Sequence, residues 1–173
     1  MFDDDVMNHK PRYATKIYLA SSWKNETQTR LVRYLKASDY VVYDFKNPPN
    51  KSAFSWKEVD PNYERGKKIS ADEYRRLLAS PEALRGYRSD MDALKSCDVC
   101  LLVLPAGRSA AWEYGWAVAQ NKHCGVIWFQ DDEPDLMFKG TTIIANLEEL
   151  DTFLQRVSYV HERGGARIEE DKS

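Results

Sequence analysis

Asp98-Val99-Cys100-Leu101-Leu102-Val103-Leu104 is a near-continuous apolar run, the pattern of a strand buried on both faces of a parallel sheet, where helices cover each side. It predicts the central strand. Downstream, Pro105-Ala106-Gly107-Arg108 reads as a turn, Ser109 as the cap of a helix running to about Asn121, and Gly125-Val126-Ile127-Trp128-Phe129 as the next strand. Upstream, Lys16-Ile17-Tyr18-Leu19-Ala20 is a β-type run, and Ser21-Ser22-Trp23 leads into a helix from Asn25 to Ala37 in which Leu31, Tyr34 and Leu35 recur at helical spacing. Tyr40-Val41-Val42-Tyr43 gives another strand, ended by Asp44-Phe45-Lys46-Asn47-Pro48-Pro49, whose prolines cannot extend a ladder.

From residue 46 to 70 the periodicity is lost, while Phe54, Trp56 and Tyr63 lend aromatic weight. A connection that long in a compact domain is usually functional, so it reads as a lid. Ala71 to Lys95 is helical with a break near Ser80-Pro81. Thr141-Ile143-Ile144 suggests a short fifth strand, and Leu147 to Val160 a closing helix with Leu150, Phe153, Leu154 and Val157 inward. Strands alternating with helices predict an α/β fold: a doubly wound, parallel, five-stranded sheet with helices on both faces. The chain reads as a single domain over 1–173 with its core at about 16–160 and loose tails at 1–14 and 161–173. Such sheets bind ligands at the carboxyl ends of their strands, which selects the loops after Ala20, Phe45, Leu104 and Phe129.

Composition narrows the partners. Lys and Arg total 25 against 27 Asp and Glu, a net charge of −2, which argues against gripping a nucleic-acid polymer through its phosphates. With 43% hydrophobic and 12% aromatic residues the chain is a packed globule and not a disordered one. Met1-Phe2-Asp3-Asp4-Asp5 lacks the basic and apolar regions of a secretory signal, and the longest apolar run, Val99 to Ala106, falls well short of the ~20 residues that span a bilayer. No membrane association is expected. Cys97, Cys100 and Cys124 cannot all pair and read as reduced thiols of a cytoplasmic protein. His9, His123 and His161 have no partner at ligand spacing, so no metal is expected, and neither a dinucleotide fingerprint nor a phosphate-binding loop occurs. No cofactor is assigned.

Three groups can carry chemistry. Glu113 falls early in the helix after the central strand, where the macrodipole favours an ionised carboxylate, with Trp112, Tyr114 and Trp116 around it. A carboxylate beside a crevice can be a nucleophile, although the same residue type there also simply complements a helix dipole at the surface. Asp90 and Asp92 precede the central strand; two apart on a helix, only one can face the crevice. A second carboxylate near Glu113 would have its pKa raised, as suits a proton donor beside an anionic nucleophile. Tyr18, on the first strand, is either a buried strand tyrosine or a hydroxyl that reaches a carboxylate at the strand ends.

Ile17-Tyr18-Leu19-Ala20-Ser21, then Ser89-Asp90 with Asp98-Val99, then Ala111-Trp112-Glu113-Tyr114-Gly115-Trp116-Ala117 and Asn121-Lys122 together resemble the nucleoside 2-deoxyribosyltransferase family and its nucleotide N-glycosidase relatives, over about Lys16 to Leu154. The resemblance implies a flavodoxin-like sheet and cleavage of an N-glycosidic bond by a carboxylate nucleophile. Glu113 would attack the anomeric carbon of a deoxyribose, Asp90 would protonate the departing base, with Asp92 the second choice, and Tyr18 would orient Glu113. Ser21, Trp23, Asp44, Phe45, Gly107, Ser109, Trp112, Asp135 and Met137 would line the substrate site. The family also completes its pocket with a neighbouring subunit's segment, to which Pro134-Asp135-Leu136-Met137 is similar, implying a homo-oligomer. A carboxylate there accepts from a sugar 5′-hydroxyl and repels a 5′-phosphate, so Asp135 favours nucleosides over nucleotides. The segment after Phe45 matches no base-recognition loop of the family, and Gly107 to Ala111 is bulkier than its usual approach to the nucleophile. The rival expectations are an N-glycosidase acting on nucleotides or NAD, and a non-catalytic nucleotide-binding module.

Overall fold

The computed structural model describes residues 14–49 and 53–170, the last ten as backbone only. Its elements are β1 (Lys16–Ser21), α1 (Glu26–Ala37), β2 (Val41–Tyr43), α2 (Trp56–Val59), α3 (Ala71–Leu78), α4 (Pro81–Ser96), β3 (Val99–Val103), α5 (Arg108–Ala119), β4 (His123–Ile127), β5 (Thr142–Ile144) and α6 (Leu147–Glu170), with a 3₁₀ turn at Leu136–Gly140. The five strands are all parallel in the order β2-β1-β3-β4-β5. This is the flavodoxin-like order, whose direction reverses between β1 and β3, so the crevice at their carboxyl ends is where a ligand belongs. Every residue of β3 is buried, the outcome expected of a strand covered on both sides.

Because side chains alternate along each strand, β1 divides its residues between two layers. Ile17 and Leu19 join Leu31, Val32 and Leu35 of α1 and Leu150, Leu154 and Val157 of α6 in a layer of aliphatic side chains. Tyr18 and Ala20 face Met91 and Leu94 of α4 and Ala110, Tyr114 and Ala117 of α5, a layer that also holds Cys97 and Cys100. The chemistry-bearing residues lie with the second layer.

Local signals fix most boundaries. Asn25 caps α1 by accepting from Thr27 and Gln28 N–H, and Ser80 caps α4 ahead of Pro81 in its first turn, where a missing N–H costs nothing. Three boundaries differ from the sequence reading. Ser109 is not the cap of α5: the helix starts at Arg108 behind Gly107, which makes no side-chain cap bond, so Glu113 sits in the second turn. β4 begins at His123, two residues earlier than expected, because Asn121 in the left-handed region reverses the chain directly out of α5. α6 continues to Glu170 where the pattern ended it at Val160; of the expected loose tails, residues 1–13 and 171–173 lie outside the described residues, as do 50–52 of the expected lid. Among the described residues no helix is long and apolar enough to cross a membrane.

Candidate active site

The parallel register sets Tyr18 of β1 beside Tyr43 at the end of β2, and their rings stack with centroids 5.3 Å apart and planes 16° from parallel. The two hydroxyls serve two carboxylates. Tyr18 lies beside Glu113 of α5, where its hydroxyl acts as a donor that favours the ionised carboxylate. Tyr43 donates to Asp90 Oδ1 of α4 at 2.7 Å and lies 3.0 Å from the Ser89 hydroxyl. Each tyrosine is kept protonated by burial and by the negative charges nearby, so each remains a donor.

The carboxylates are close enough to feel each other. Desolvation, then the charge of Asp90, pushes Glu113 up to about 7, against the lowering effect of the Tyr18 hydrogen bond. This revises the expectation of a carboxylate held ionised by the helix dipole: in the second turn, half-buried, it feels burial more than the macrodipole, whose influence fades within the first turn. Desolvation likewise raises Asp90, and the Tyr43 hydrogen bond opposes it. While Asp90 is ionised its charge favours a proton on Glu113, so the arrangement sets an acid and a carboxylate side by side.

Beside Asp90 opens a crevice lined by Trp23, Tyr43, Phe45, Pro48, Phe54, Arg85, Gly86, Ser89 and Asp90. Trp23 and Phe45 meet edge to face at 5.2 Å. Phe54 comes from the segment expected to form a lid, and lies so close to α4 that a Cβ on Gly86 would sit 2.8 Å from its ring. Around it, Trp56 contacts Phe54, Tyr63 and Tyr74, and α2 carries a capping box between Ser55 and Glu58. Gly86→Ala trades a helix-propensity gain of about 1 kcal/mol against this overlap. The overlap is with Phe54 Cβ and Cγ, close to its backbone, so the variant is expected to lose stability and to raise KM as Phe54 is displaced; full stability with an unchanged KM would show that Phe54 shifts freely and does not touch substrate.

The other expected residues are placed less centrally. Asp92 is exposed on α4, the outward member of the Asp90/Asp92 pair. Asp44 is buried but occupied: Gln28 Nε2 and Lys46 N–H donate to its Oδ1, and Asn47 Nδ2 to its Oδ2. These donors hold it below the usual carboxylate range despite burial, and through them it shapes the turn after β2. Ser21 donates to the Val103 carbonyl at 2.9 Å, joining the ends of β1 and β3. Gly107, Ser109 and Trp112 are exposed along the start of α5. Asp135 Oδ1 accepts from Met137 N–H and caps the 3₁₀ turn, leaving Leu136 and Met137 at 81% and 80% exposure. Among the described residues no group of three His, Cys, Asp or Glu could hold a metal ion.

Sequence reading missed Tyr43, Ser89, Phe54, Arg85 and Gly86 as site residues. It also missed Asn25, whose amide donates to the carbonyls of Val103 and Pro105 while its oxygen caps α1, and whose own carbonyl accepts from Lys46 Nζ. One buried residue, through its side chain and its backbone carbonyl, thereby ties the loops after β1, β2 and β3 together. A helix-capping signal marked Asn25, yet nothing linear marked its distant partners.

The role of Tyr18 is open to a direct test, since Phe keeps the stacked ring and deletes the donor. Loss of a hydrogen bond to an ionised group destabilises the anion, so Tyr18→Phe is expected to raise the Glu113 midpoint above 7 by roughly one pH unit. A carboxyl-carbon NMR titration reads this, and an unmoved midpoint would mean that the hydroxyl does not serve Glu113.

No protein family description and no curated protein sequence matches the chain. Among solved structures it is similar to a 2-deoxyribosyltransferase from Bacillus psychrosaccharolyticus, with a TM-score of 0.54 and 16% identity over 79% of this chain and 90% of that one. At that identity the likeness is one of fold.

Proposed function

We propose that this chain is an enzyme of the nucleoside 2-deoxyribosyltransferase type, which cleaves the N-glycosidic bond of a deoxynucleoside and passes the sugar to another base or to water. The observation that carries this is the pair of neighbouring carboxyls, Asp90 bonded by Tyr43 and Glu113 beside Tyr18, next to an aromatic crevice at the carboxyl ends of β1 and β2. The fold likeness to a 2-deoxyribosyltransferase supports it.

In the productive ionisation Glu113 is anionic and Asp90 protonated. A Glu113 oxygen attacks the anomeric carbon, the carbon–nitrogen bond breaks, and its electron pair leaves with the base as Asp90 delivers a proton to a ring nitrogen. The product is a covalent glycosyl-enzyme, as in retaining glycosidases. A second base or a water, giving its proton to the Asp90 carboxylate, then attacks the same carbon and releases the sugar with overall retention. Tyr18 steadies the anion before attack and the carboxylate that departs afterwards. Trp23, Phe45 and Phe54 offer faces on which a flat base stacks and from which water is excluded.

Small neutral nucleosides are the preferred substrates in this reading, because a carboxylate at Asp135 disfavours a 5′-phosphate. The exposed Leu136 and Met137 beside it support a homo-oligomer in which this segment completes a neighbour's site. Incubating the protein with deoxyinosine and free adenine should yield deoxyadenosine, or hypoxanthine alone if water is the only acceptor. Deoxyinosine monophosphate and NAD belong in the same assay. Faster cleavage of either reassigns the substrate, and silence with every natural deoxynucleoside ends the proposal.

A further inference from the structure

The crevice wall farther along α4 carries a residue that the bond-breaking step leaves unused. Arg85, Gly86, Ser89 and Asp90 lie on one face of α4 and all line the crevice, whereas Glu113 is not part of that lining. In the proposed reaction Glu113 meets the sugar, so the crevice that Asp90 lines and Glu113 does not takes the base. The aromatic side chains there can hold the faces of a ring, and they say nothing about its edge. Edge reading falls to polar groups, and two of them are already engaged: the Ser89 hydroxyl and Asp90 Oδ1 are both within hydrogen-bond distance of the Tyr43 hydroxyl.

Arg85 is different. One guanidinium nitrogen donates to Glu58 Oε2 of α2, while Glu58 Oε1 accepts the Ser55 N–H of the capping box. Both residues are exposed, the Arg85 side chain at 41% and the Glu58 side chain at 30%. This anchoring has two chemical consequences. It gives the fork a preferred position, and it offsets part of the arginine charge while engaging one of its five N–H donors. A partly neutralised guanidinium recognises a pattern of acceptors more than it attracts an anion. Having no acceptor of its own, it pairs with an oxo group and leaves an exocyclic amine unsatisfied, which is where discrimination is steepest.

We propose that Arg85, held by Glu58, is the specificity-determining residue for the base and selects bases that present an oxo group, so that 6-oxopurines are preferred over 6-aminopurines. The assignment rests on the N-glycosidic reading of the site, and its test includes a measurement independent of turnover. Hypoxanthine and adenine share one ring system and differ in this substituent.

Binding of each free base, followed by quenching of tryptophan fluorescence, is expected to favour hypoxanthine by roughly 10- to 100-fold in the unaltered protein. Arg85→Met should bring that ratio close to one, losing more hypoxanthine affinity than adenine affinity. Arg85→Lys, which keeps the charge without the planar fork, should restore only part of it; it also serves as the folded comparison if methionine loosens α2. An equal loss of both bases, an unchanged ratio, or no base binding in the unaltered protein overturns the proposal. An Arg85-dependent ratio combined with no deoxynucleoside cleavage would instead sink the glycosidic reading and leave the base selection standing.

Discussion

Glu113→Gln is expected to lower turnover of any deoxynucleoside by about 10⁴-fold or more, the loss typical of removing a covalent nucleophile, while making the protein more stable in mild alkali. The second effect follows from linkage. Glu113 titrates at about 7 in the fold against an ordinary value of 4.5, so between those two pH values the native state binds more proton than the unfolded chain, and stability falls as pH rises. Above 7 the full cost of an ionised, desolvated carboxylate is present. Glutamine removes it, so denaturant unfolding at pH 8 should show a gain of roughly 1–3 kcal/mol that shrinks toward zero near pH 4. A variant that is inactive but no more stable at pH 8 than the unaltered protein would contradict the strained-carboxylate picture.

Asp90→Asn is expected to cut kcat by roughly 10²–10⁴-fold on ordinary deoxynucleosides, the range for loss of a general acid. The loss should depend on the leaving group. A 2′-deoxyguanosine methylated at N7 already carries the positive charge that protonation would supply, so its base departs neutral and its cleavage should be far less impaired. The same substitution deletes the negative charge that helps raise Glu113. The acidic limb of the pH–rate profile should therefore move down for Asp90→Asn, opposite in sign to the shift expected for Tyr18→Phe. An equal loss on both substrates, or an acidic limb that stays in place, assigns the proton to another group.

Much of this arrangement can be read along the chain, and the exceptions have physical causes. The apolar β3 run, the capped helices and the order of strands follow from periodicity, since each depends on neighbours within a few residues. The two-residue error at β4 arose because His123 and Cys124 look like loop residues, while their pairing with Val99 and Cys100 is decided by β3. Ser109 had the right chemistry for a cap, and the helix began one residue ahead of it. Asp90 and Glu113 stood out as carboxylates at strand and helix ends, yet burial and mutual charge, which set their proton affinities, are properties of packing. Tyr43 could not be singled out at all: its importance comes from lying level with Tyr18 across a parallel ladder. The donors of Asp44 were not legible either, because Gln28, Lys46 and Asn47 converge on it only after the chain has turned.

The two faces of the sheet are unequal in kind, and this has a bearing on how the protein can change. The buried core on the side packed by α1 and α6 is all branched hydrocarbon, while the buried core on the side packed by α4 and α5 includes the phenols Tyr18 and Tyr114 and the thiols Cys97 and Cys100. Hydrocarbon cores accept compensating swaps of similar volume, and sites with no shared contacts combine almost additively. One side can thus serve as ballast: substitutions that tighten it can offset the burden of new side chains around the crevice, and substrate range can drift without the whole sheet being rebuilt.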